Sequence, residues 1–140
     1  MPSNSVTILS NQSHPQDSST QTLSGDKYQG DGYYSRTDGL HTVQFNLNGF
    51  SGTITIEGTL AIDPQTSDWF SVELFTNTSV AGTVDTTGAV STGNLITLSS
   101  VSYTNETSNN NYNFTGNYVW VRAKLTNWTD GTVNSILLNH

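Results

Sequence analysis

Residues 117–125 read NYVWVRAKL. Alternation puts Val119, Val121, Ala123 and Leu125 on one side of an extended chain and Tyr118, Trp120, Arg122 and Lys124 on the other, because successive side chains of a strand point to opposite faces. The first set suits a core, the second an amphipathic surface. No window of the chain offers the competing helical period, with apolar residues at i, i+3, i+4 and i+7. A period of two therefore decides the fold class.

The same period recurs on either side of this stretch. In HTVQFNLNG (41–49) Val43, Phe45 and Leu47 alternate against Thr42, Gln44 and Asn46, and in GTITIEGTLAI (52–62) Ile54, Ile56, Leu60 and Ile62 alternate against Thr53, Thr55, Glu57 and Thr59. Asn48-Gly49-Phe50-Ser51-Gly52 between them has the composition of a hairpin loop. SDWFSVELF (67–75) carries bulk on both faces, which predicts a central strand covered on both sides. Residues 77–93 read as loops with a weak strand over 82–85 and a turn at Thr87-Gly88. LITLSSVSY (95–103) predicts another strand, bulged at Ser99 and Ser100. TNETSNNNY (104–112) reads as a polar loop and Asp130-Gly131 as a turn before TVNSILLN. The Gly- and Asp-rich segment 25–39 reads as turns enclosing one short strand near Tyr33. Several short strands joined by Gly, Asn and Asp predict an all-β protein, an antiparallel β-sandwich or jelly roll.

Ahead of this body, residues 1–24 are rich in Ser, Thr, Asn and Gln and contain one short apolar run, Val6 to Leu9. So polar a stretch buries little and predicts an extended N-terminal arm whose Val6, Ile8 and Leu9 dock on a neighbour. The expected division is an arm over 1–24 and a sandwich domain over 25–140.

Composition narrows the partners. Eleven acidic residues stand against four basic ones, Lys27, Arg36, Arg122 and Lys124, for a net charge of −7. That leaves no basic stripe to neutralise a row of phosphates, so neither nucleic acid nor anionic membrane is an expected partner. The chain has no cysteine, which excludes disulfides and thiolate metal sites. The N-terminus lacks a basic region followed by an apolar run, so no secretory signal is expected.

Residue types that carry chemistry are scattered. His14, His41 and His140 show no HxH or HExxH spacing and read as surface histidines, with no metal or cofactor expected. Glu57 and Glu73 sit on the polar or mixed faces of separate strands, where two acids could converge as a glycosidase pair does, although Glu73 equally suits an ordinary cross-strand contact with Arg122. Asp26, Asp31 and Asp38 are accounted for by turns and match no calcium-loop spacing. No nucleophile with a base is visible, so the chain reads as a non-enzyme that makes contacts. Exposed aromatics are the clearest binding signal, since Tyr and Trp offer area with a polar handle. Tyr33, Tyr34, Tyr118, Trp120 and Arg122 are the candidate recognition surface, with Val6, Ile8 and Leu9 as the candidate arm contact. Sugar rings stack on such aromatics too, so a carbohydrate-binding module attaching to host-surface glycan is the alternative.

The order of pieces over 39–47, 52–60, 68–75, 86–88 and 118–140 resembles the small β-sandwich virion structural proteins of tailed bacteriophages. The resemblance lies in strand types, GLHTVQFNL, GTITIEGTL, DWFSVELF, a T-x-x-G-like turn and the closing YVWVRAKLTNWTDGTVNSILLNH, rather than in fixed functional residues. It implies a decoration, neck, tail or fibre accessory protein, assembled in the host cytoplasm and held in the virion by other virion proteins and copies of itself. This chain departs from compact members of that group in its N-terminal arm and in the polar segment over 104–117.

Overall fold

The computed structural model describes residues 5–35, 38–75 and 97–140. Its strands are β1 (Val6–Ser13), β2 (Gln21–Ser24), β3 (Tyr28–Gln29), β4 (Leu40–Thr59), β5 (Phe70–Ser71), β6 (Leu74–Phe75), β7 (Thr97–Leu98), β8 (Val101–Thr115) and β9 (Trp120–Asn139). Short 3-10 helices span Asp31–Tyr34 and Thr66–Asp68, and the described residues contain no α-helix. Every pairing is antiparallel. The strands run β1-β9-β4-β8-β6-β7, with β2 and β3 extending the cover along β9 and β5 pairing with β4. Among the described residues the two ends of this order do not pair, so the sheet they form is open, all-β and sandwich-like, and is not closed into a barrel.

Two strands of 20 residues, β4 and β9, form the frame. In β4 the buried positions alternate as His41, Val43, Phe45 and Leu47, then Phe50, Gly52, Ile54 and Ile56, before a continuous buried run of Glu57, Gly58 and Thr59. Parity flips from odd to even across Asn48 and Gly49, which a one-residue bulge produces. β9 changes parity more than once: Val121, Ala123 and Leu125 are buried, then Trp128, then Val133, then Ile136 and Leu138. Residues with positive φ mark the line across the strands, namely Asn11 (25°), Gly49 (63°), Asn105 (46°), Asn127 (50°) and Gly131 (84°). Side chains satisfy the backbone donors freed there: Gly49 N–H donates to Thr107 Oγ1 at 2.9 Å, and Asn105 N–H to Ser51 Oγ at 2.8 Å. The bulges let each long strand bend while keeping its apolar side inward, so both halves feed one core with Phe45, Phe50, Ile54, Phe114, Leu125 and Ile136 at its centre.

Several expectations are corrected by this frame. Residues 48–52 do not reverse the chain, and Asp130-Gly131 is no hairpin turn either; both are bulges inside continuous strands. The polar segment 104–112 is strand, because its backbone pairs with β4 from Leu40↔Thr115 to Ile54↔Val101. Pairing satisfies the main chain there while most side chains stay in water. The 67–75 stretch is not central: Val72 and Leu74 are buried, Phe70, Ser71 and Glu73 are exposed, and β5 and β6 are two-residue pieces. Tyr33 lies in a 3-10 helix, not a strand. Leu60 and Ile62 continue the alternation on paper, yet β4 ends at Thr59 and both are exposed. The irregularity expected at Ser99 and Ser100 is a full break and not a bulge: β7 ends at Leu98 and β8 begins at Val101. The expected strand over 82–85 and turn at Thr87-Gly88 lie outside the described residues.

The expected arm is also corrected. β1 pairs along β9 from Val6↔Leu138 to Ser13↔Thr132, and β2 pairs with β9 from Gln21↔Trp128 to Ser24↔Lys124. Ile8 and Leu9 are buried in the same core as the rest of the chain. Their docking surface is their own β9, whose outer edge would otherwise expose a row of unpaired N–H and C=O groups. His14 belongs to this junction: buried, edge-on to Trp128 at 5.6 Å, its Nε2–H donates to Ser19 O at 3.0 Å and its Nδ1 accepts from Gln16 N–H.

Inside the sheet, Tyr103 and Tyr112 meet hydroxyl to hydroxyl at 3.3 Å. Burial first, and then the bond to Tyr112, hold the Tyr103 phenol well above its ordinary 10. The unfolded chain ionises there before the folded one, so stability present below about pH 10 is lost as pH climbs beyond it. Tyr103→Phe is expected to flatten that alkaline loss. Urea midpoints at about pH 8 and about pH 11 check it, and an unchanged difference between them would refute the assignment.

Candidate functional site

The first 3-10 helix, Asp31–Tyr34, faces two ways. Its backbone lies on the chain entering β9, with Gly30 N–H donating to Val119 O at 3.0 Å and Gly32 N–H to Tyr118 O at 2.9 Å. A Cβ on Gly32 would come within 2.1 Å of Asn117 O, so only glycine permits this approach. With the helix pinned in this way, Asp31 turns inward and Tyr33 and Tyr34 turn outward.

The outward side is an aromatic end. Tyr33 lies 5.1 Å from Trp120 and 5.2 Å from Tyr34 between ring centroids, at interplanar angles of 55° and 77°. Trp120 Nε1–H donates to Ile62 O at 3.0 Å, and Lys27 Nζ stands 4.5 Å over its ring. Gly32, Tyr33, Ile62, Val119 and Trp120 wall an open cleft of about 340 Å³. Ile62 is 83% exposed, and Tyr33 and Tyr34 about half exposed at 47% and 48%, so apolar area is presented to solvent on a rigid support.

The inward side gathers Asp31, His41 and His140. His140 Nδ1–H donates to Asp31 Oδ1 at 2.7 Å. His41 Nδ1–H donates to Gly39 O at 2.9 Å, which leaves the Nε2 lone pair to accept Asp31 N–H at 3.2 Å. Phe114 stacks on the His41 ring at 4.5 Å and 5°, and Tyr34 on His140 at 5.7 Å and 24°. Burial pushes the His41 imidazole below its ordinary value, outweighing the Gly39 carbonyl and the Asp31 charge. Burial also pushes the Asp31 carboxyl up, but hydrogen bonds from His140 and Asp38 and the neighbouring imidazoles bring it below the usual carboxylate range.

Of the predicted interface residues, Tyr33, Tyr34 and Trp120 come together. Tyr118 does not join them: it packs against Phe114 and Phe70 and is half buried. Val6 is partly buried, while Ile8 and Leu9 are core. Arg122 is committed elsewhere, its Nε–H donating to Glu57 Oε1 at 2.8 Å and its guanidinium lying 4.3 Å over Trp69. Glu57 and Arg122 are register partners, so Glu57 and not Glu73 makes the cross-strand contact with Arg122, and Glu73 is exposed. The side chains of this ion pair retain only 16% and 11% exposure. Arg122→Leu is therefore expected to cost about 2 kcal/mol, less than a fully buried pair would because some solvent reaches it. The double variant with Glu57→Leu is expected to be milder than the single one; denaturant midpoints in which the two losses simply add would refute this coupling.

The reading of the three histidines as surface residues is corrected: His14 and His41 are buried and His140 nearly so. A signal for this existed in the parity of the strands. His41 shares its face with Val43, Phe45 and Leu47, and His140 follows Ile136 and Leu138 at the same spacing, so both point inward by alternation. Nothing local brings Asp31 to them; that requires Thr42↔Asn139 pairing of β4 with β9 and the glycine-dependent seat of the 3-10 helix.

No protein-family model matches the chain, nor does any curated protein. Among solved structures, the crystal structure of the SPBc2 prophage-derived protein YomS has a similar fold. The TM-score is 0.51 at 14% identity, over 96% of this chain and 88% of that one.

Proposed function

We propose that this chain is a non-enzymatic structural component of a bacteriophage particle, a decoration or a neck or tail accessory, that works by contact with other virion proteins and with copies of itself. The observation that carries the reading is the aromatic end: Tyr33, Tyr34, Trp120 and Ile62 expose contiguous apolar area on a backbone fixed by Gly32 and β9, which is the composition of an interface anchor. The likeness in fold to a prophage-derived protein supports the phage setting, and the net charge of −7 favours protein partners over nucleic acid. A host-glycan platform, the alternative, needs ring faces free for stacking. Here the rings tilt at 55° and 77° and Lys27 stands over Trp120, which favours a protein contact.

Particles purified from a strain carrying the gene are expected to contain the protein in fixed proportion to the major capsid protein, as read by quantitative mass spectrometry. Tyr33→Ser with Ile62→Ser, both exposed, is expected to leave the thermal midpoint unchanged and lower incorporation about tenfold or more, as loss of an interface anchor does. Abundant protein in the lysate with none in particles would overturn the proposal. A saturable hit on a glycan array that Trp120→Ala abolishes would move the assignment to the carbohydrate-binding class.

A further inference from the structure

We propose that Asp31, His41 and His140 form a binding site for a divalent transition-metal ion of the zinc class, which clasps the 3-10 helix, the start of β4 and the end of β9. One donor atom from each residue lies within 4.8 Å of the other two. One carboxylate and two imidazoles are the ligand types such ions take, and the set leaves further coordination positions for water.

The surroundings are built as metal-ligand supports are built. A ligating histidine normally donates its second ring N–H to a backbone carbonyl or carboxylate, which fixes the tautomer and aims the other nitrogen. His41 already does this through Nδ1–H to Gly39 O, and its Nε2 lone pair faces the cluster. Phe114 holds that ring flat from one side, and Tyr34 holds His140. Asp31 and His41 are essentially inaccessible to solvent, at 1% and 0% exposure, which strengthens any charge interaction made there. Asp38 comes within hydrogen-bonding reach of Asp31 at the rim.

Binding requires modest change. Donors around a tetrahedral zinc-class ion sit about 3.3 Å apart for bonds of about 2.0–2.1 Å, so the widest spacing of 4.8 Å must close. His140 supplies that movement by rotating at the end of β9. His140 ligates through Nδ1 as the neutral ring with its proton on Nε2, so the proton held between Nδ1 and Asp31 Oδ1 departs, to solvent from an imidazolium or in exchange for one taken up at Nε2 by a neutral ring, and the Asp31 N–H bond to His41 Nε2, long at 3.2 Å, yields to the metal.

The test uses the untagged full chain, stripped with a chelator, titrated with Zn²⁺ by calorimetry and with Co²⁺ by visible absorption. The expected result is saturable uptake of about one ion per chain and a thermal midpoint that rises with free metal, as binding to the folded state alone requires. His140→Ala is expected to weaken binding about tenfold or more, whereas His14→Ala, far along the sheet, leaves it unchanged. Asp31→Asn provides a second variant with the carboxylate donor removed. No saturable uptake by the wild type would overturn the assignment, and so would uptake that survives both His140→Ala and Asp31→Asn.

Discussion

A chain beginning at Gly25 is expected to lose cooperative folding. The missing segment carries β1 and β2, which cover the outer edge of β9 over six and three paired positions. It also carries Ile8 and Leu9, buried at 1% and 7% exposure, each worth about 1.5–3 kcal/mol on burial. Trp128 would lose His14 from its edge, and a long β9 edge would lie open to pairing with another chain. Those losses together reach the scale of a domain's whole stability, about 5–15 kcal/mol. Circular dichroism melts of the 25–140 chain are expected to show no sharp transition, and a peptide of residues 1–24 supplied in trans is expected to restore part of it. A truncated chain melting cooperatively within a few degrees of the full one would show that the segment is the dispensable arm its composition suggests.

The second large effect is expected at Gly131. Its φ is 84°, and a Cβ there would stand 2.0 Å from Gly49 O and 2.6 Å from the Phe50 Cα. Gly131→Val therefore combines a left-handed backbone that β-branched residues resist with a clash against main chain that no side-chain rotation relieves. A loss of about 3–5 kcal/mol is expected, strain and overpacking each contributing about 1–3 kcal/mol. Gly49 is the control. Its φ is 63°, but a Cβ there meets only Asn105 Oδ1 at 3.5 Å, so Gly49→Ala is expected to cost about 1–2 kcal/mol, from backbone alone. Equal midpoints for the two variants in urea would mean that the contact between β4 and β9 at the bend does not limit stability.

This bend also explains which parts of the fold the sequence made legible. Alternation located the strand cores at 43–47, 53–56 and 121–125 and assigned their inward faces, although Val119, expected on the same face, precedes β9 and is only partly buried, and the lack of a helical period agrees with a structure whose described residues form no α-helix. The errors fall on the residues that tolerate positive φ. Asn48-Gly49 and Asp130-Gly131 have the composition of turns and lie at bulges, because the same backbone freedom serves both and local composition does not distinguish them. The 104–112 segment failed for a related reason: polar side chains say where a surface lies, not whether the backbone behind them is paired.

For the candidate site, side-chain chemistry picked out Tyr33, Tyr34 and Trp120, which do meet, but it placed Arg122 on the same surface when its register partner Glu57 holds it. It treated His41 and His140 as isolated although strand parity already turned both inward. What the sequence by itself determined is the all-β class, the inward faces of the strand cores at 43–47, 54–56 and 121–125 and the lack of a basic stripe, all of which follow from period-two patterning and charge count. Only the tertiary structure decided that 48–49 and 130–131 bend strands instead of ending them, that the polar N-terminal segment completes its own sheet, and that Asp31, His41 and His140 converge. Those outcomes depend on pairing between residues far apart in sequence, where the competition between turning, bulging and pairing is settled by which backbone groups find partners.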